Sequence, residues 1–321
     1  MSDFQKLIDK LQRDVALYRK KAIAPPIDEF SKLWNFGHTV DPIGDDAAIL
    51  RFNDEYLLFS CDGILPQLVQ EEPYWAGYCS VLVSASDIYA MGGRPFAMVN
   101  LLSSPDEETS VLIAKGMAEG CRLLGIPMVG GHFMPQEASG VATAIIGKAS
   151  HVLRATQGKP EQLLVAAVDL EGEQYKHYGH WNSTTMISPE KMQGKLEVLP
   201  RLAETSLGHA ARDISNAGIL GTLAMLAENS GCGAEIDLGQ MPKPYSVEMD
   251  RWLRMYPGYG FILSIDTGDE QEVIKMFHEQ GIAAAVIGKL TESRKVMIRS
   301  EEESALYMDL EKDVLVVGEN G

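Results

Sequence analysis

The apolar positions change period along the chain, and the changes mark its elements. Phe4, Leu7, Ile8, Leu11, Val15 and Tyr18 recur at intervals of three and four. That spacing predicts one amphipathic helix at the start. The stretch "IAPPIDEF" is expected to break it, because Pro25 and Pro26 lack the amide hydrogen that a helix interior needs. "DEYLLFSCDG" reads as a strand ending at a polar turn. "YWAGYCSVLVSASDIYAMGG" reads as a helix stopped by Gly92 and Gly93. A strand follows at "RPFAMVNLLSS". A second helix, "DEETSVLIAKGMAEGCRLLG", has acids in its first turn and Gly125 as its stop. "IPMVGGHF" and "GVATAIIGKAS" are strands flanking a loop. The order strand, helix, strand, helix, strand, strand makes an α+β unit of roughly 110 residues, the size of one domain.

"HVLRATQGKPEQ", residues 151–162, reads as a linker to a second unit. There "LLVAAVDLEG", "GAEIDLGQMP", "GFILSIDTG" and "AAAVIGKLTE" are predicted strands. Helices are predicted after the turn in "RDISNAGILGTLAMLAENSG" and at "DEQEVIKMFHEQG", and "EQYKHYGHWNSTTMISPE" reads as an irregular polar segment. The expected organisation is an N-terminal helix and connector over residues 1–35, an α+β domain over 36–150 and a second α+β domain over 160–321. Each half also has a strand ending in Ile-Gly-Lys, at 146–148 and 287–289, a faint sign of duplication.

Composition narrows the function classes. The 321 residues fit two domains of ordinary size. No apolar run of about 18 residues is present, so no transmembrane helix is expected. The charged N-terminus has no apolar core of a secretion signal, which makes a cytoplasmic protein the expectation. A net charge of −17 argues against nucleic-acid binding. Cys61, Cys79, Cys121 and Cys232 form no C-x-x-C pair, which argues against a zinc ribbon or a thioredoxin motif.

Candidate chemistry sits on carboxylates at element junctions: Asp45 and Asp46 in "GDDAA", Asp62 in "SCDG", Asp87 in "SASDIYAMGG" and Asp213 in "RDISNAG". Small neighbours let a ligand approach the backbone closely. Magnesium is usually held by one or two carboxylates plus substrate phosphates, so several such loops suit a triphosphate. Taken singly, Asp45, Asp62 and Asp213 also serve as turn or cap residues. Asp87 has no such role, since it would be buried unpaired on a helix with no other charge. Neither a P-loop nor a dinucleotide-binding fingerprint is present. His177 and His180 in "HYGH" lack the further ligands of a zinc site.

Together these motifs resemble the superfamily of aminoimidazole ribonucleotide synthetase, thiamine-monophosphate kinase, selenophosphate synthetase and the hydrogenase-maturation dehydratase. "IGDDAAIL" is similar to its N-terminal signature. Residues 60–102, with S-D-x-Y-A-M-G-G-x-P, and "GGHF" (Gly130 to Phe133) are most similar to selenophosphate synthetase. "DISNAGILGTLAML" resembles that enzyme's D-x-T-x-x-G-x-x-G-x-L segment, with Asn216 where the thiamine enzyme has a second Asp. The resemblance implies a two-domain α+β fold whose N-terminal domains pair into a barrel in a homodimer. ATP would lie at that interface with Mg²⁺ on its phosphates. It further implies metal binding by Asp46, Asp62, Asp87 and Asp213, and nucleotide binding around Gly44, Asp45, Gly130, Gly131, Lys148 and Asn216. Asp213 and His132 are the implied catalytic residues, with Arg94 a further candidate phosphate contact.

The departures are as informative. Selenophosphate synthetase carries a Cys or selenocysteine, then a Lys, before its first strand; here the first cysteine is Cys61. Selenide is therefore not the expected acceptor. The segment from Tyr175 to Thr185 matches no acceptor site of the family. The expectation is an ATP- and Mg²⁺-dependent enzyme that phosphorylates or activates an unidentified small acceptor. A nucleotide- or phosphometabolite-binding module, acting as partner of another enzyme, is the alternative. A divalent-metal phosphoesterase fits the carboxylates but not the paired-domain pattern.

Overall fold

A computed structural model describes residues 2–30, 33–301 and 303–316. Three short helices open it: α1 (Asp3–Gln12), α2 (Val15–Lys21) and α3 (Ala24–Phe30). The expected single helix is thus broken at Arg13, and the side chain of Asp14 accepts from Ala16 N at 2.8 Å to start the second. Pro25 and Pro26 do not end the helical region. They occupy the first turn of α3, where their missing amide hydrogens would have no intrahelical partner anyway.

The N-terminal half follows with β1 (Ala48–Phe52), β2 (Glu55–Gly63), α4 (Pro66–Glu71), α5 (Pro73–Ala90), β3 (Arg94–Ser104), α6 (Glu107–Leu124), β4 (Met128–Pro135) and β5 (Gly140–Ala149). Its five strands lie in the order β1-β2-β5-β3-β4, antiparallel except for β3 with β4. Helices α5 and α6 pack backbone to backbone against each other. A side chain on Gly77 would meet the carbonyl of Ile113, and one on Gly116 would meet that of Tyr74. Helix α6 has the expected acids, Glu107 and Glu108, in its first turn and ends as predicted at left-handed Gly125, while Asp106 caps its start.

The C-terminal half contains β6 (Leu163–Val168), β7 (Glu173–Gln174), β8 (His180–Asn182), α7 (Pro189–Leu196), α8 (Val198–Glu204), β9 (Ala210–Asp213), α9 (Gly218–Asn229), β10 (Gly233–Asp237), α10 (Met249–Trp252), β11 (Tyr256–Pro257), β12 (Gly260–Ile265), α11 (Glu270–His278), β13 (Ala283–Thr291), β14 (Lys295–Ser300) and β15 (Glu303–Asp309). Seven strands run β15-β14-β10-β13-β6-β12-β9. The segment read as irregular holds β7 and β8, which pair with β11 into a small separate sheet. Strands of two and three residues are too short to show a period of two.

The central strands β6 and β12 of the seven-stranded sheet are buried on both faces, and their alternation sorts side chains between two cores. Leu164, Ala166 and Val168 of β6 face α9, while Val165 and Ala167 face the core shared with α5 and α8. That shared core runs without interruption into the N-terminal half, from Ile49 and Ile88 to Leu199 and Phe261. The segment 151–162 is likewise packed rather than free: Leu153 and Ala155 are fully buried and Arg154 pairs with Asp41. Ile8, Leu11 and Leu17 of α1 and α2 join the other core, so the opening helices belong to the C-terminal half.

Candidate active site

A cavity of about 560 Å³ lies where β2, α5, the loop before β1, the turn after β9 and the opening helices meet. One end is built from carboxylates. Asp46 leaves the loop before β1, Asp87 points off α5, and Asp213 ends β9; a carboxylate oxygen from each lies within 4.8 Å of the others. Asp62, near the end of β2, lines the same cavity beside Asp87, and its Oδ2 is buried with no hydrogen-bond donor among the described residues. Its register opposite Thr143 turns it to the α5 face of the sheet, toward Asp87. The Ser60 hydroxyl donates to Asp87 Oδ2.

Two cations stand among these acids. Arg212, beside Asp213 on β9, sets Nη2 at 2.6 Å from Asp46 Oδ1 and donates through Nη1 to the Gly44 carbonyl at 2.8 Å. Lys20 arrives from α2 and lines the cavity with Ile23 and Ile27. Burial, then the Arg212 charge, pushes the Lys20 ammonium below its ordinary value. The acids outnumber these cations. Burial, then the neighbouring carboxylates, drives Asp87 and Asp213 well above the carboxylate range.

Asp45 has a different task from its neighbour. Its Oδ2 accepts from Ala155 N at 2.8 Å and its Oδ1 from Asp46 N at 2.9 Å, so it braces the loop. Burial, then its like-charged neighbour Asp46 against the counter-pull of Arg212, leaves its carboxyl raised to about 7. Asp46 Oδ2 accepts from Asp213 N at 2.9 Å, which ties the two halves together at the site. Asn216 lines the cavity in a tight turn, where Ala217 takes a φ of 126° that side-chain-bearing residues rarely adopt.

The remaining predicted residues lie elsewhere in this chain. Gly130, Gly131 and His132 sit within β4 rather than at a strand end, exposed on the sheet edge. By register His132 shares a face with Leu101, the face away from α5. Lys148 is exposed on β5, 3.8 Å from Glu55. Arg94 is held by Glu197 and Glu204, which leaves it no free role at the cavity. His177 and His180 do not converge: His177 lies by Glu71, while His180 Nδ1 accepts from the Trp75 indole at 2.9 Å.

Three site residues escaped the sequence pattern. An arginine inside a strand, as Arg212 is, signals a buried ion pair, because such charges are seldom buried unless paired. Ser60 gave no signal. Lys20 sits in "YRKK", which reads as a solvated face, and only the docking of α2 on the C-terminal half reveals it.

The cavity's two walls coincide with two known domain types. Residues 44–149 match the AIR synthase related protein, N-terminal domain, and residues 161–300 match the corresponding C-terminal domain. The chain is 33% identical over 321 residues to an uncharacterised protein of Methanocaldococcus jannaschii, covering 98% of this chain and 99% of that one. It is 25% identical over 307 residues to the selenide, water dikinase of Carboxydothermus hydrogenoformans, covering 79% and 86%. Among solved structures, T. maritima PurL complexed with ATP superposes with a TM-score of 0.74 at 17% identity. That match covers 85% of this chain and 46% of PurL, so the chain spans about half of that longer protein. Two matched domains in order, a near full-length relative and the shared fold give one conclusion: the chain belongs to the AIR synthase related protein family.

Proposed function

We propose that the protein is an ATP- and Mg²⁺-dependent enzyme that phosphorylates or activates a small acceptor other than selenide. One observation carries the reading: Asp46, Asp87 and Asp213 converge in one cavity beside Asp62, whose buried Oδ2 has no hydrogen-bond donor among the described residues. These oxygen donors fit Mg²⁺, and the raised carboxyls of Asp87 and Asp213 mark a surplus of negative charge that a cation relieves. Bound there by Asp46, Asp62, Asp87 and Asp213, Mg²⁺ would neutralise the phosphates of ATP. Lys20 adds a positive charge at the same end, and Arg212 holds Asp46 in place. Gly44 and Asn216 offer the phosphates small or polar surroundings. Two of the proteins named above, the selenide, water dikinase and PurL complexed with ATP, carry a kinase activity or ATP in their own descriptions, which supports the same reading. Selenide lacks its partner residue, since Cys61 is on the exposed outer face and burial pushes the Cys79 thiol up, keeping it protonated.

The outer face of the five-stranded sheet supports a homodimer in this reading. Phe59, Val99 and Leu101 lie there, each at least 40% exposed, and an apolar sheet face of this kind calls for a cover. Pairing two such sheets would bring Gly130, Gly131 and His132 of one protomer to the interface, where the nucleotide of the family pattern lies. The chain divides for this purpose into residues 1–35, 36–150 and 160–321, and its work is cytoplasmic. Asp87→Asn tests the proposal. Calorimetry should show that Mg²⁺-dependent binding of a non-hydrolysable ATP analogue falls at least tenfold, with the circular dichroism spectrum unchanged. Undiminished binding would sink the assignment.

A further inference from the structure

The other end of the cavity has a different chemistry, and none of the carboxylate work uses it. Leu68, Trp75, Cys79, Leu82, His180 and Tyr256 line it. Leu68, Leu82 and Trp75 are buried, no charged side chain stands among these six, and Arg19 of α2 lines the same cavity within electrostatic reach of Tyr256. The aromatic rings pack on one another, with His180 tilted against Tyr256. Trp75 lies 4.1 Å from Tyr175 and 5.2 Å from Tyr78, and His180 lies 5.6 Å from Tyr178 and 5.0 Å from Tyr256. Trp75 and His180 are thus held in an aromatic cluster that lines the cavity, and aromatic walls suit a flat ring, which packs on them edge to face or offset.

His180 adds one directional group. An indole N–H only donates, so the Trp75 contact makes His180 Nδ1 an acceptor without a proton. Burial holds the imidazole neutral, down to about 4. The single proton of the neutral ring therefore resides on Nε2. That atom has no hydrogen-bond partner among the described residues, although the ring lines the cavity. Second-layer contacts fix the assembly from behind: Tyr175 Oη donates to Glu72 at 3.1 Å, and Tyr178 Oη donates to Glu71.

We propose that this chamber binds the acceptor, that the acceptor carries a flat, uncharged ring, and that His180 Nε2–H selects it by donating to a ring heteroatom or carbonyl. The inference rests on the carboxylate end being the Mg–ATP site, because that assignment leaves the chamber to the second substrate. His180 acts as a specificity-determining residue, with Leu68 and Leu82 giving the chamber its apolar walls.

The test uses two neutral probes of one shape, 3-pyridylmethanol and benzyl alcohol, followed by ligand-observed NMR on the full chain at pH 8. Both should bind the wild type, the pyridine more tightly. Leu82→Trp fills the chamber and should abolish both signals while leaving Mg²⁺-dependent binding of the ATP analogue within about twofold. His180→Phe should weaken 3-pyridylmethanol about tenfold, a single hydrogen bond's worth, and leave benzyl alcohol unchanged. His180→Gln, which keeps a donor, should restore part of that preference. If Leu82→Trp fails to fold, the His180 pair decides the matter alone. Absence of both probes from the wild type, or equal loss of both in His180→Phe, overturns the proposal. Failure of the ATP analogue to bind while the probes behave as stated would instead overturn the reading of the carboxylate end and leave the chamber standing.

Discussion

The two ends of the cavity use opposite strategies for burying polar atoms. The carboxylate end places four acids around two cations and leaves like charges in contact. The ring end pairs its polar groups locally except for His180 Nε2–H: the Trp75 N–H meets His180 Nδ1, and the tyrosine hydroxyls Tyr175 and Tyr178 meet glutamates at the rim. Buried charge left uncompensated is costly, so the first arrangement stores repulsion among its acids. The second is stable as it stands. A site that stores repulsion responds strongly to ions and to charge-removing mutations; a satisfied one responds to shape.

The comparison breaks most visibly at Arg212. Arg212→Met removes the positive partner of buried Asp46, and the loss should be about 3–5 kcal/mol in urea unfolding of the metal-free protein. A loss under about 1 kcal/mol would show that the acids do not depend on it. The ring end should show its own pH signature. His180 is held down to about 4 from 6.5, so between those values the unfolded chain binds a proton that the folded chain refuses. Stability is complete above pH 6.5 and falls as pH drops toward 4, by on the order of 3 kcal/mol. His180→Phe should flatten that part of the curve; an unchanged slope would assign it to other groups.

Removing charge from the crowded end should act in the reverse sense. Asp213→Asn relieves repulsion, so the metal-free protein should gain stability in urea unfolding. The same variant should lose most of the rise in melting temperature that Mg²⁺ gives the wild type. Retention of the full Mg²⁺ response would remove Asp213 from the ligand set. The smallest effect belongs to the exposed pair Lys10–Asp250, which fastens α1. Lys10→Met should cost under about 1 kcal/mol, and half-molar salt should erase the difference.

Much of the fold is legible where local signals are strong. Helix α6 announces both ends through the acids of its first turn and Gly125, and α5 stops at left-handed Gly92 as its glycine pair foretells. The carboxylates of the site are legible too, because an aspartate on an otherwise uncharged, buried helix has few structural explanations. Elements without period or cap are not. Helices α7 and α8 carry Gly194 and Pro200, which blur the helical pattern, and β7 and β8 are shorter than one alternation. Lys20 and the aromatic ring stack were invisible for another reason. Lys20 meets Asp46 and Asp213, and Trp75 meets Tyr175, only through contacts between distant segments, and no local spacing encodes them.

The docking of the opening helices has a consequence for the life of the chain. Helix α1 packs on β15, and Gln12 Nε2 donates to the Leu306 and Tyr307 carbonyls at 3.0 Å. Helix α2, which roofs the cavity, is fixed through Lys21 to Asp313, while Glu228 accepts from Leu315 and Val316 beside the same cavity. Helices α1 and α2 therefore settle only against residues 292 to 295 positions further along the chain. Closing so long a loop makes these contacts late in folding. A chain under synthesis carries Asp46, Asp62 and Asp87 long before residues 306–316 exist, so the roof that α2 makes over them is fixed late.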